Sequence, residues 1–287
     1  MRIAIIGNND GPLTLVKSLK REGLFPVAVG LQIPPSEDLQ KTYLDHVDKE
    51  RFFFGFKEAE ALAFLKSFDI ELLINCFCNF KFKALLDSYK TWNVHPSALP
   101  KYRGRHPIHW ALINGETEIG VSIHQMTSRF DAGEIYWQKR VAVDAKTSVQ
   151  EARAMQMEEL NKNFGRFILD FMEGKIEPLP NPDGEATYIP MRKPEDSQLT
   201  EWEDADSIFR KVMALRSEND AAYIKKGSMR IQVRNAELLS GNANTTAGKI
   251  LAITNNGITV SSGNRKKIAL LGFDPSEFNF KINDTLT

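Results

Sequence analysis

The chain is poor in cysteine: of its 287 residues only Cys76 and Cys78 are thiols. That is too few for a disulfide framework, and the spacing is one residue short of a C-x-x-C redox or zinc motif. Both are read as reduced thiols of a core or loop. Charge of one sign is not in excess either. Lys plus Arg and Asp plus Glu balance at 37 each, so no long-range basic field exists to gather a phosphate backbone. Long hydrophobic runs are missing. The opening "MRIAIIGNND" breaks at Gly7 and Asn8, far short of a signal h-region or a membrane span, and a cytoplasmic protein is expected. There is no G-x-S-x-G elbow and no G-x-x-x-x-G-K-[ST] loop, and in "IIGNNDG" Asn9 stands where a G-x-G-x-x-G turn needs its second glycine. These gaps argue against the common serine hydrolase, P-loop and dinucleotide-binding readings. No internal repeat or low-complexity tract is found.

Apolar residues make up 42% and charged residues 26%, a globular composition with room for a sizeable core, and the length suggests two domains. "RIAIIG" followed by "NNDGPLTLVKSLKREG" reads as a buried strand, a polar turn and an amphipathic helix. "FPVAVGL" (25–31) and "IELLINCF" (70–77) read as strands, and "KEAEALAFLKSF" (57–68) and "FKALLDSY" (82–89) as helices. That alternation predicts an α/β fold with a mostly parallel, doubly wound sheet. "IGVSIHQM" (119–126) and "EIYWQKRVAV" (134–143) then predict an antiparallel pair, and helical spacing predicts a long helix from Thr147 or Ser148 to Gly174. A polar, proline-rich stretch marks a linker over 176–202, between a domain at 1–175 and a tail at 203–287. The tail reads as one helix and then short strands with Asn-Gly and Ser-Gly turns, suiting a small five-stranded OB-like barrel.

The densest chemistry lies in "TWNVHPSALPKYRGRHP" (91–107). Residues i and i+2 of a strand share a face, so Asn93 and His95 project together from the carboxyl end of "TWNVH", where open α/β sheets bind ligands. The prolines after them stiffen the exit. Asp131, in the "RFDAGEI" turn, completes a set in which a carboxylate orients an imidazole and raises its basicity. Read alone, the Asp is a turn former, and the Asn and His a turn cap and a surface residue. Lys101, Arg103 and Arg105 make a local basic cluster fit for an anionic small ligand, or a solvated loop. The other histidines have no metal-ligand spacing, and no metal is expected.

These residues resemble the 10-formyltetrahydrofolate-dependent formyltransferases. Asn-x-His, the "PSALP" turn, "KYRGRHPIHWALINGETEIGVSIHQM" and the Asp of "RFDAGEI" follow that family's signature in order over some forty positions. The resemblance extends to the opening strand and, more loosely, through the tail. It implies a Rossmann-like formyltransferase domain followed by an OB-like β-barrel domain, with 10-formyltetrahydrofolate as the formyl donor. Asn93, His95 and Asp131 become the implied catalytic set. Asn93 and His95 hold the oxyanion formed when an amine attacks the formyl carbon, His95 manages the protons, and Asp131 orients His95. The implied folate-binding residues are Phe77, Cys78, Asn79, Phe80, Asp131 and Gly133, and those for the acceptor are Asn8, Arg103, Gly104 and Arg105.

Two acceptors compete. Relatives that formylate initiator methionyl-tRNA hold a polyanion with a basic loop near the second strand, whereas "LQIPPSEDLQKTYLD" (31–45) carries one Lys against Glu37, Asp38 and Asp45. From Glu201 onward there are 12 Lys plus Arg and 10 Asp plus Glu, a net of 12 − 10 = +2, low for the phosphate contacts a tRNA needs. "YRGR", "NGETE", "RFDAG" and "RKPEDSQLTEW" are most similar to the domain that formylates UDP-4-amino-4-deoxy-arabinose. A nucleotide-linked amino sugar is therefore the favoured acceptor, with initiator methionyl-tRNA as the alternative. Sugar-modifying relatives often dimerise through the small domain, so a homodimer is one assembly the resemblance allows. A binding protein that kept the fold without the chemistry is a third reading, disfavoured by the presence of all three polar residues.

Overall fold

In the computed structural model residues 1–79 and 81–286 are described; Phe80, expected to line a folate site, lies outside them. Two units emerge. The first comprises Met1–Gly104, Gly120–Val141 and Ala154–Tyr188, and the second comprises Arg105–Ile119, Ala142–Arg153 and the chain from Ile189 onward. The chain runs β1 (Ile3–Gly7), α1 (Gly11–Arg21), β2 (Ala28–Leu31), α2 (Glu37–Leu44), β3 (Phe52–Phe54), α3 (Glu58–Leu65), β4 (Leu72–Cys76), α4 (Ala84–Ser88) and β5 (Thr91–His95). A two-residue strand β6 (Arg103–Gly104) and helix α5 (Pro107–Ile113) follow. Next come strands β7 (Glu118–Gln125) and β8 (Ile135–Ala142), the long helix α6 (Val149–Met172) and a short β9 (Tyr188–Ile189).

The first unit is built on a seven-stranded sheet of order β3-β2-β1-β4-β5-β7-β8. Its first five strands are parallel and β7 runs antiparallel to β5. Strands β1 and β4 are buried along their whole length because both faces are covered, and apolar apart from Asn75 of β4. On one face Ile5, Ile74, Trp92 and Val94 pack with Leu15 and Leu19 of α1 and with Leu160, Phe164 and Ile168 of α6. On the other, Ala4, Ile6 and Leu73 meet Ala61 and Leu65 of α3 and Leu85 of α4. Strand order reverses between β1 and β4, which opens a crevice at their carboxyl ends. Gly7 closes that crevice tightly: a Cβ there would lie 2.0 Å from the Cys76 carbonyl oxygen.

Helix α6 begins where its sequence signal lies. Ser148 Oγ accepts the Glu151 N–H at 3.2 Å, and Glu151 Oε2 accepts the Ser148 N–H at 2.8 Å, a reciprocal cap. It ends before Gly174, whose φ of +71° suits a glycine stop.

In the second unit, Asp204 caps α7 (Ala205–Leu215) by accepting the N–H groups of Asp206 and Ser207. Among the described residues the antiparallel tail then has six strands, one more than the five expected, in two sheets. β10 (Tyr223–Lys226) and β11 (Met229–Gln232) form a pair, and β12 (Asn235–Leu239), β13 (Ile250–Ile253), β14 (Gly257–Ser261) and β15 (Lys267–Leu271) form a sheet of order β12-β15-β14-β13. Helix α7 lies on β12 and β15. No helix among the described residues is long and apolar enough to cross a membrane.

Candidate active site

Strand β5 presents Trp92 and Val94 to one core and turns Asn93 and His95 to the opposite face, as period-2 alternation requires. Register then selects their neighbours. Asn75 of β4 lies beside Asn93 on one side, and His124 of β7 on the other, with Ser122 beside His95. Asn75 Nδ2 donates to Asn93 Oδ1 at 2.7 Å, and Asn93 Nδ2 lies 3.1 Å from His124 Nε2. His124 Nδ1 is 2.8 Å from the Gln125 carbonyl oxygen. A carbonyl only accepts, so Nδ1 carries a hydrogen, and the Asn93 amide nitrogen, which only donates, meets a lone pair at Nε2. The orientation of the Asn93 amide is thus fixed from two sides, and its nitrogen carries a second N–H.

His95 is buried, and its Nε2 sits 2.9 Å from the Tyr102 carbonyl oxygen. By the same reasoning Nε2 carries the proton, so in the neutral ring the lone pair is at Nδ1, facing Asp131 Oδ1 at 3.6 Å. Burial lowers the His95 pKa below the usual histidine value; Asp131 opposes that shift and His124 adds to it. The resting ring is neutral at neutral pH, and a proton arriving at Nδ1 meets a carboxylate.

Asp131 comes from the β7–β8 turn with φ +52°, a left-handed conformation that Asp tolerates better than most residues. Its Oδ2 accepts the Gly104 N–H at 2.8 Å, while Oδ1 is also 3.5 Å from His124 Nε2. Burial alone would raise its pKa, but the facing His95 and His124 and the Gly104 N–H outweigh this and bring it to about 2. Asn181 Nδ2 holds the turn by donating to the carbonyls of Asp131 and Gly133, both at 2.9 Å. Gly133 packs so closely that a Cβ would lie 2.0 Å from the Gln125 oxygen.

The three residues expected to act together therefore converge. The others are placed more variously. Phe77 (φ +73°), Cys78 and Asn79 form the loop after β4. The Cys78 N–H donates to Asn75 Oδ1 at 3.0 Å and the Asn79 N–H to Gln32 Oε1 at 2.7 Å. Burial pushes the Cys78 thiol pKa up, so it rests protonated. Asn8, expected on the acceptor, is a buried brace: Nδ2 donates to Gln32 Oε1 and the Phe77 carbonyl, and Oδ1 accepts the Ile33 N–H. Arg103, also expected there, is fully buried. Its Nη1 binds Asp183 and the Tyr188 hydroxyl, and its Nη2 binds both oxygens of Asn181, all within 2.8 Å. The Gly104 amide serves Asp131. Arg105 opens the second unit, exposed, with Nη1 3.2 Å from Met191 Sδ.

Asn75 and His124 were missed in the sequence. Their signal is a polar residue inside an apolar strand, "LLINC" and "IGVSIHQ".

Residues 57–164 match the formyl transferase domain and residues 192–276 the formyl transferase C-terminal domain. The chain belongs to the formyl transferase family. Three similar structures share the fold. An N-formyltransferase from Helicobacter canadensis in complex with folinic acid and dTDP-3-aminofucose has a TM-score of 0.73 at 15% identity, over 95% of this chain and 100% of that one. HypX from Aquifex aeolicus in complex with tetrahydrofolic acid has 0.62 at 19%, over 94% of this chain. This chain spans only 43% of HypX. Methionyl-tRNA formyltransferase from Clostridium thermocellum has 0.57 at 17%, over 95% and 100%.

Proposed function

We propose that the protein transfers the formyl group of 10-formyltetrahydrofolate to the primary amine of a nucleotide-linked amino sugar. The observation that carries this is the convergence of Asn93, His95 and Asp131 at the carboxyl end of β5, with the loop after β4 tied to Asn93 through Asn75. We place the donor's pterin against that loop, Phe77 to Asn79, and the turn Asp131–Gly133. The donor supplies an activated formyl carbon on N10. The free Asn93 N–H meets the formyl oxygen as it gains negative charge, a preorganised contact that works best in a buried site. His95 Nδ1 takes the proton released by the attacking amine, and Asp131 stabilises the charged ring. That proton is returned to N10 as its bond to the formyl carbon breaks, giving an N-formyl product and tetrahydrofolate.

The acceptor assignment rests on charge. In the 31–45 stretch Glu37 and Asp38 sit, exposed, in the first turn of α2, opposite in sign to what a polyanion needs. Exposed Lys101, beside the Asn93–His95 strand end, offers one cation to a diphosphate. The Helicobacter canadensis structure with dTDP-3-aminofucose supports a sugar acceptor by likeness. Following 10-formyl absorbance with purified protein tests the roles. Asn93→Ala and His95→Ala should each lower kcat by about a hundredfold or more, and near-normal turnover in either variant would overturn the assignment.

A further inference from the structure

Strand β4 is buried along its whole length, and Asn75 within it is only 6% exposed. A buried amide without partners costs about 1–3 kcal/mol, so an aliphatic side chain would suit a central parallel strand better. Asn75 is satisfied on both ends by the site. Its Nδ2 donates to Asn93 Oδ1, and its Oδ1 accepts the Cys78 N–H of the following loop.

We infer that Asn75 is a positioning residue that sets the polarity of the Asn93 amide. The two ends of an amide have nearly the same shape, so a half-turn about the terminal bond exchanges donor for acceptor. Asn75 presents a hydrogen to one end, and His124 Nε2 presents a lone pair to the other. Both interactions select the orientation that leaves an N–H, rather than a carbonyl, available to the reacting oxygen. Because Asn75 also holds the Cys78 amide, the loop and the Asn93 donor are kept in one register. This inference rests on the proposed role of Asn93.

Asn75→Asp is the decisive substitution. It keeps the shape and still accepts from Cys78, but it presents an acceptor to Asn93 and draws the amide nitrogen toward itself. The expected result is a kcat about thirtyfold to a hundredfold lower with KM changed by less than about threefold, and no further loss when it is added to Asn93→Ala. Asn75→Ala, which removes the donor without adding an acceptor, should lose less, again with no additional loss in the Asn93→Ala background. It keeps the test decisive should the Asp variant fail to fold. A near-normal kcat in both Asn75 variants while Asn93→Ala is impaired overturns the inference and leaves the Asn93 role standing. Losses that multiply with that of Asn93→Ala also overturn it, since Asn75 would then act by another route. Normal turnover in Asn93→Ala itself would instead remove the reading on which the inference rests.

Discussion

With His95 as the proposed base, a buried imidazole facing a carboxylate predicts the pH response of the site. His95 in the folded protein titrates below its usual value of 6.5, so the basic form persists through neutral pH and the acid limb of kcat should fall below that value. Asp131 opposes the effect of burial. Asp131→Asn should therefore move the limb to lower pH and reduce kcat by at least about tenfold, because the charged ring loses its counter-ion. A limb that stays in place would refute the pairing. Stability has a matching sign. A histidine with a depressed folded pKa favours folding above the unfolded value and loses that contribution as pH falls through it. Asp131, at about 2 against 3.8 unfolded, contributes above 3.8 and loses it as pH falls toward 2. Urea midpoints measured at decreasing pH should fall in both windows, and Asp131→Asn should flatten the lower one.

Among the elements, the β6 clamp is most open to test. Arg103→Met removes a buried guanidinium that joins β6 to Asn181, Asp183 and Tyr188, and Asn181 in turn holds the turn of Asp131. A loss of about 2–4 kcal/mol of stability is expected, read from the denaturant midpoint, with a lower kcat. Gly133→Ala should also lower kcat, since its Cβ would displace the Gln125 carbonyl or the turn itself. Arg103 also marks a limit of sequence reading. Its charge pointed to a ligand, but its partners lie about eighty positions away, and no local pattern discloses such a pairing. The strands β1, β4, β5, β7 and β8 and the helix α6 were legible because apolar period and capping residues are local signals. Helix α2 was not: it follows Pro34 and Pro35, and it buries only Tyr43, so it has no apolar stripe. Helix α5 was hidden for a related reason, since Pro107 at its first turn reads equally as a stiff loop. Of the site, Asn93 and His95 were visible through strand alternation. Asn75 and His124 reach Asn93 only through sheet register, which the sequence does not print.

At the scale of the whole molecule, the proposed nucleotide-sugar acceptor and a tRNA predict different responses to salt. A polyanion held by six or more phosphate contacts would lose about a thousandfold or more in affinity between 50 and 200 mM salt, while a single diphosphate loses far less. Turnover should accordingly change by less than about tenfold over that range. The family's two domains and their order are legible in sequence, but the acceptor depends on a few side chains and on net charge. Product mass spectra after incubation with 10-formyltetrahydrofolate, a panel of nucleotide-linked amino sugars and initiator methionyl-tRNA decide the matter most directly. A nucleotide sugar heavier by one formyl group is the expected product; formyl-methionyl-tRNA, with every amino sugar left unmodified, would contradict the proposed function.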